Sequence, residues 1–216
     1  SDEKVLIENG KYAGYNKVYG YIIGNRNNMT IQHLAVGGRT IATPADGSFS
    51  NCFSKDIYKT IDPDVDYITL YFGINDSHHE HGSTGSDGED KTGEIPLGTI
   101  EDADESTFYG AWNVVLPYLI EHYPSAHIGI IVSNGVDRDA YRTATIEIAD
   151  KWGIPYIDLN GDARTPMMIR SSNPVHSERA KQLRLVSQRV SETNQHPNAS
   201  AHEYESYFIE NFLRSI

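Results

Sequence analysis

The run Asp66-Tyr67-Ile68-Thr69-Leu70-Tyr71-Phe72 stops at Gly73-Ile74-Asn75-Asp76. It is short and apolar on both faces, as expected of a strand in the middle of a parallel sheet. The rest of the chain alternates in the same register. Strands are expected at 29–36, 66–72, 127–132 and 154–159. Helices are expected at 12–23, 54–61, 107–123, 138–152 and 177–190, with a last one opening at Ser200. Strands alternating with helices predict an α/β fold, a three-layer α/β/α sandwich around a central parallel sheet. Pro117 is expected to kink its helix, and Gly153 falls where a C-terminal cap belongs. Ser200 with Glu203 reads as a capping box, followed by an apolar stripe of Tyr204, Tyr207, Phe208 and Phe212.

The 216 residues suit one domain, 1–216, with a full core. A net charge of −12 disfavours nucleic acid and anionic lipid, which call for clustered Lys and Arg. The sequence has no run of membrane-span length and no secretory leader pattern. The single Cys52 has no partner for an internal disulfide. Tyr is abundant and Lys sparse, a surface suited to carbohydrate.

Open α/β sheets bind ligands at the carboxyl ends of their strands. Asn75 stands at such an end, where its NH₂ can meet a developing oxyanion. Upstream, Ile31-Gln32-His33-Leu34-Ala35-Val36 runs into a double-glycine turn, Gly37-Gly38-Arg39-Thr40. Near the C-terminus stands His196-Pro197-Asn198, with His202 six residues after the first imidazole. Pro197 holds the preceding backbone extended and the next helix anchors it. His196 is therefore the best candidate for a general base near neutral pH.

These three blocks, in this order, resemble the SGNH (GDSL-type) hydrolases over residues 12–216. The resemblance implies a flavodoxin-like three-layer fold and a serine esterase working through an acyl-enzyme. It makes the backbone N–H of Gly38 and the side chain of Asn75 the oxyanion donors, His196 the base and His202 a structural hydrogen-bonding residue. Asp76 is expected to brace its loop and, with His78, His79 and His81, to border the substrate. Deacetylation of a carbohydrate, such as a cell-wall polysaccharide, is the activity this family suggests.

The chain departs from the family in two places. It contains no Gly-Asp-Ser block, and the acid three residues before His196 is replaced by Thr193. For the nucleophile, one account puts the serine at Ser1 or upstream of it, in a domain lacking its first strand. The other makes Lys4–Ile7 that strand and Glu8–Lys11 an inactive turn. Spacing favours the first. Losing a central strand forfeits about 1.5–3 kcal/mol for each buried branched side chain, so Val5-Leu6-Ile7 or another peptide must fill the slot. For the acid, Glu192 or Asn194 are substitutes, and a dyad oriented by a backbone carbonyl is favoured. The rival to the esterase is a non-catalytic binding or structural module with the same fold.

His78-His79-Glu80-His81, with Asp87, Glu89 and Asp90 nearby, has metal-binding residue types. Adjacent imidazoles rarely converge on one tetrahedron, so a solvated loop is expected, with no metal and no cofactor. The polar stretch 77–106, thirty residues, is long for a connection and is expected to form a lid or substrate wall. The expected partner is a small-molecule or polysaccharide ester. The chain is expected to be a module of a larger protein with an extracellular, cell-surface or virion-associated location.

Overall fold

A computed structural model describes residues 17–45, 51–80, 92–93, 95–132, 139–159 and 197–216. In chain order its elements are α1 (Tyr19–Arg26), a 3₁₀ turn at Ile57–Thr60, β1 (Tyr67–Leu70) and a 3₁₀ turn at Asp76–His78. There follow β2 (His79–Glu80), β3 (Thr92–Gly93), α2 (Phe108–His122), β4 (His127–Val132), α3 (Asp139–Trp152), β5 (Tyr156–Asp158) and α4 (Ala199–Leu213). Contacts divide the chain, expected as one domain, into two compact units. One is residues 34–158, and the other joins residues 1–33 with 159–215.

In the first unit, β1, β4 and β5 form a parallel sheet in the order β1-β4-β5. Ile68 lies opposite Ile128 and Leu70 opposite Ile130, so these side chains share one face with Val132. That face packs on Phe108, Trp112, Val115, Leu116 and Leu119 of α2 and on Ile148 and Ala149 of α3. Each fully buried aliphatic side chain adds about 1.5–3 kcal/mol. Burial along β1 alternates instead of being continuous, with Tyr67 and Thr69 half-buried. Their hydroxyls suit positions that keep some water. Among the described strands β4, not β1, is central. The strand expected at 29–36 joins no ladder among the described residues. An extended segment needs a hydrogen-bonding neighbour to be a strand, and Met29 and Val36 lie exposed.

Helix α2 starts at Thr107, whose hydroxyl accepts from the Gly110 N–H at 3.1 Å. It runs through Pro117, which has no N–H to offer the carbonyl of Asn113. Gly153 closes α3 with φ +65°, the left-handed conformation glycine adopts without strain.

Residues 95–106 belong to the stretch 77–106, expected as a lid or substrate wall. They are tied down along their length. Phe108 and Tyr109 donate to the carbonyls of Pro96 and Leu97, and Thr43 donates to Glu105. Asn113 donates from Nδ2 to Ile100 at 2.9 Å and Asp102 at 2.7 Å, while its Oδ1 accepts from Trp152. Tyr141 donates to Ile95. A methyl at Gly110 would sit 1.9 Å from the Asp104 carbonyl oxygen. Gly110→Ala is therefore expected to cost about 1–3 kcal/mol as the strap is displaced. At Gly20, in α1, added carbon meets nothing within 4 Å. Gly20→Ala should be neutral or stabilising by about 0.5–1 kcal/mol. Thermal melting of the two variants checks the contrast, and equal melting temperatures would refute it.

In the second unit α1 packs on α4. Arg26 donates to Glu203 at 3.1 Å, pairs with Glu210 at 2.5 Å and lies 4.3 Å over the Tyr207 ring. Glu210 also accepts from Asn27 and Arg214, and hydrogen bonds from Arg214 and Asn27 hold its carboxyl down to about 2. The cap of α4 is not Ser200. Asn198 Oδ1 accepts from the Ala201 N–H at 3.0 Å, and the helix begins at Ala199. Asn caps a helix as well as Ser does, and Asn198 precedes Ser200 in the chain. The buried face carries Ala201, Glu205, Ser206 and Ile209, whereas Tyr207, expected in the apolar stripe, is 55% exposed beneath the guanidinium. No helix of the described residues is long and apolar enough to cross a membrane.

Candidate active site

Strand β1 leads into Gly73, whose φ of +112° is open to glycine but strained for other residues. The chain then folds back on itself. The Ser77 N–H donates to Gly73 O at 3.1 Å and the Ser77 hydroxyl to Ile74 O at 2.9 Å. This tight reversal places Asn75 at the carboxyl end of the strand and turns Asp76 into the protein.

Asp76 is fully buried. Its carboxylate accepts from the N–H groups of Ile41 at 3.0 Å, Ala42 at 3.0 Å and Gly73 at 3.2 Å. Its backbone carbonyl accepts from Ile95 at 2.9 Å. Three chain segments thus converge on one residue. Burial pushes the carboxyl up to about 6, against the opposing pull of the N–H groups of Ala42, Ile41 and Gly73. With no exposed surface, Asp76 cannot border a substrate. The expected contact role is corrected: both oxygens of its carboxylate accept from backbone N–H groups.

Opposite lies the double-glycine turn. The Arg39 N–H donates to Val36 O at 3.1 Å, and Gly38 has φ +78°. That is the signature of a type II turn with glycine at its third position. Gly38 is exposed, and added carbon there would meet nothing within 4 Å. Among the described residues its N–H donates to no group. Asn75 Nδ2 donates to the carbonyl of Arg39 at 2.9 Å, one residue from Gly38. An amide NH₂ carries two hydrogens, and among the described residues the second donates to no group. The two expected oxyanion donors therefore stand on adjoining loops, and Asp76 binds the chain beyond Arg39 to the chain before Asn75.

The remaining expectations fall elsewhere. His196, Thr193, Glu192, Asn194, Ser1 and His81 lie outside the described residues. So do the side chains of His78 and His79, whose backbones belong to the 3₁₀ turn and to β2. His79 pairs with Gly93 and Glu80 with Thr92 in an antiparallel ladder directly after the Asn75 turn. Among the described residues no three His, Cys, Asp or Glu side chains are grouped to hold a metal. His202 was expected as a structural hydrogen-bonding residue. Its Nδ1 is buried without a partner, 3.9 Å from Glu205, and burial pushes the imidazole down to about 4. One residue at the site had been quoted in the sequence without a role: Arg39, whose signal was its place directly after the double glycine.

No protein-family model matches the chain, and no curated protein does. Solved structures do. A Lactobacillus plantarum protein is 23% identical with a TM-score of 0.65, over 92% of this chain and 88% of its own. A Bacteroides ovatus protein provisionally described as a GDSL-like lipase is 18% identical with a TM-score of 0.64, over 97% and 84%. A Chitinophaga pinensis protein provisionally described as a lipase is 14% identical with a TM-score of 0.60, over 93% and 90%. These likenesses, joined to a parallel sheet with helices packed upon it and a Gly-x-Asn-Asp turn at its edge, show that the chain has the fold of the SGNH/GDSL-type hydrolases.

Proposed function

We propose that the protein hydrolyses carboxylic esters through a serine acyl-enzyme, and that the ester is an acetyl group on a carbohydrate. The supporting observation is a pair of donors unspent among the described residues, Gly38 N–H and the second N–H of Asn75, on loops fastened by one buried carboxylate. Donors fixed before the reaction stabilise a developing oxyanion without reorganising, which is the largest single contribution in many enzymes. In this reading the serine oxygen attacks the ester carbon while His196 takes its proton. His196 then returns that proton to the departing alcohol. Water, deprotonated by the same imidazole, attacks the acyl-enzyme and releases the acid and the serine.

A fluorophosphonate probe tests the reading. The full natural protein should be labelled on one serine, identified by peptide mapping, and should release acetate from an acetylated oligosaccharide. His196→Ala should abolish both. The absence of Gly-Asp-Ser from the sequence and the Thr at 193 favour a second reading, a carbohydrate-binding module without catalysis. A folded sample that takes up no probe would establish that reading in place of the first.

A further inference from the structure

Arg39 holds a cation at the candidate oxyanion turn, and among the described residues no anion neutralises it. Its Nε donates to Asn51 Oδ1 at 3.1 Å, Nη2 donates to the same oxygen, and Nη1 donates to the Leu34 carbonyl. All of these acceptors are neutral. Among the described residues no carboxylate lies within ion-pair distance of it, whereas Arg26, Arg142 and Arg214 each have one. Partial burial pulls the guanidinium down from its ordinary value, and the nearby Cys52 thiol, the opposing influence, does not cancel it.

A guanidinium carries five N–H donors. Three are engaged, leaving one on Nη1 and one on Nη2. The side chain is half-buried, so it is fixed in place yet reachable from water. Its own carbonyl receives the Asn75 amide, which fixes the charge beside the two expected oxyanion donors. If the charge served only to pin the turn, a neutral donor would do the work without desolvating an ion. In a chain of net charge −12, an isolated cation at this place is a selective feature.

We propose that Arg39 is a specificity residue that accepts a carboxylate on the ligand, so that the site selects a uronate-type sugar or a comparably acidic group over its neutral counterpart. A planar fork suits a carboxylate and gives it direction as well as attraction. The proposal rests on the reading of this turn as part of the ligand site. It does not require the serine to be competent.

The decisive measurement is binding. Backbone amide shifts of Gly37, Gly38 and Asn75 are followed by NMR during titration with methyl glucuronoside and, separately, methyl glucoside. The wild-type protein should bind the acidic sugar at least about 10-fold more tightly, as a charge-assisted contact implies. Arg39→Gln should erase the preference, and Arg39→Lys should retain part of it. Equal binding of the two sugars by the wild type, no binding of either, or a preference that survives in Arg39→Gln would each overturn the proposal. Where the protein also hydrolyses esters, kcat/KM for 4-acetoxybenzoate against phenyl acetate gives a second test. Arg39→Gln should lower only the acidic ester's value. An equal loss on both esters would make Arg39 a structural pin. The binding arm keeps its meaning when no hydrolysis is found, so failure of the esterase reading and failure of this proposal remain separate results.

Discussion

Asn75→Ala is expected to lower kcat for ester hydrolysis by about 10²–10³, with KM little changed. The argument is geometric. One Nδ2 hydrogen is spent on the carbonyl of Arg39, which fixes the amide plane and aims the other hydrogen. A donor held this way contributes mainly when negative charge builds on the substrate oxygen, so its loss appears in the rate. That corresponds to about 2.7–4 kcal/mol in the barrier. The folded state should lose less, about 0.5–1.5 kcal/mol, because the lost bond lies at a half-buried position next to an exposed turn. Steady-state kinetics with a soluble acetyl ester, set beside thermal melting, separate the two effects. A fall in kcat smaller than about threefold would remove Asn75 from the oxyanion site.

Asp76 is where stability should be most exposed. Asp76→Ala leaves the N–H groups of Ile41, Ala42 and Gly73 buried without acceptors. Each orphaned donor costs about 1–3 kcal/mol, and the costs do not fully add. A total loss of about 3–5 kcal/mol is expected in urea denaturation. The pH dependence has a definite sign. Burial holds the Asp76 carboxyl at about 6, above its ordinary 3.8. At acid pH both folded and unfolded chains carry the proton. As pH rises from about 4 to about 6 the unfolded chain gives it up first, and the folded state loses about 3 kcal/mol of its advantage. Asp76→Asn has no proton to lose there. The stability difference between wild type and Asp76→Asn should therefore shrink by that amount between pH 4 and pH 7. A difference that grows instead would mean that the three N–H groups outweigh burial.

The sequence was most legible where local pattern and tertiary environment agree. The strand at 127–132 was read to the residue because a continuous apolar run is unambiguous in a fold of alternating elements. Helix α2 was legible from its spaced apolar set, and the end of α3 from Gly153. Reading failed where distant groups decide. The strap at 95–107 falls almost wholly within the polar stretch read as a lid or substrate wall, and nothing local shows that Asn113, Trp152 and Tyr141 fasten it from positions far along the chain. The stripe of α4 was misjudged because Tyr207 serves as a platform for Arg26 while Glu205 and Ser206 go inside. At the site, Gly38 and Asn75 were recognisable as motif residues. The solitude of the Arg39 charge was not, since it depends on which acids the fold brings near.

Asp76 has a wider consequence. Its side chain grips residues 41, 42 and 73, and its carbonyl grips Ile95, where the chain returns after the β2–β3 hairpin. Both ends of the stretch between residues 80 and 92 are thereby moored to the framework. One buried side chain thus couples the segment after the double-glycine turn, the loop that carries Asn75 and the start of the strap at Ile95, so a change at Asp76 is felt at all three together.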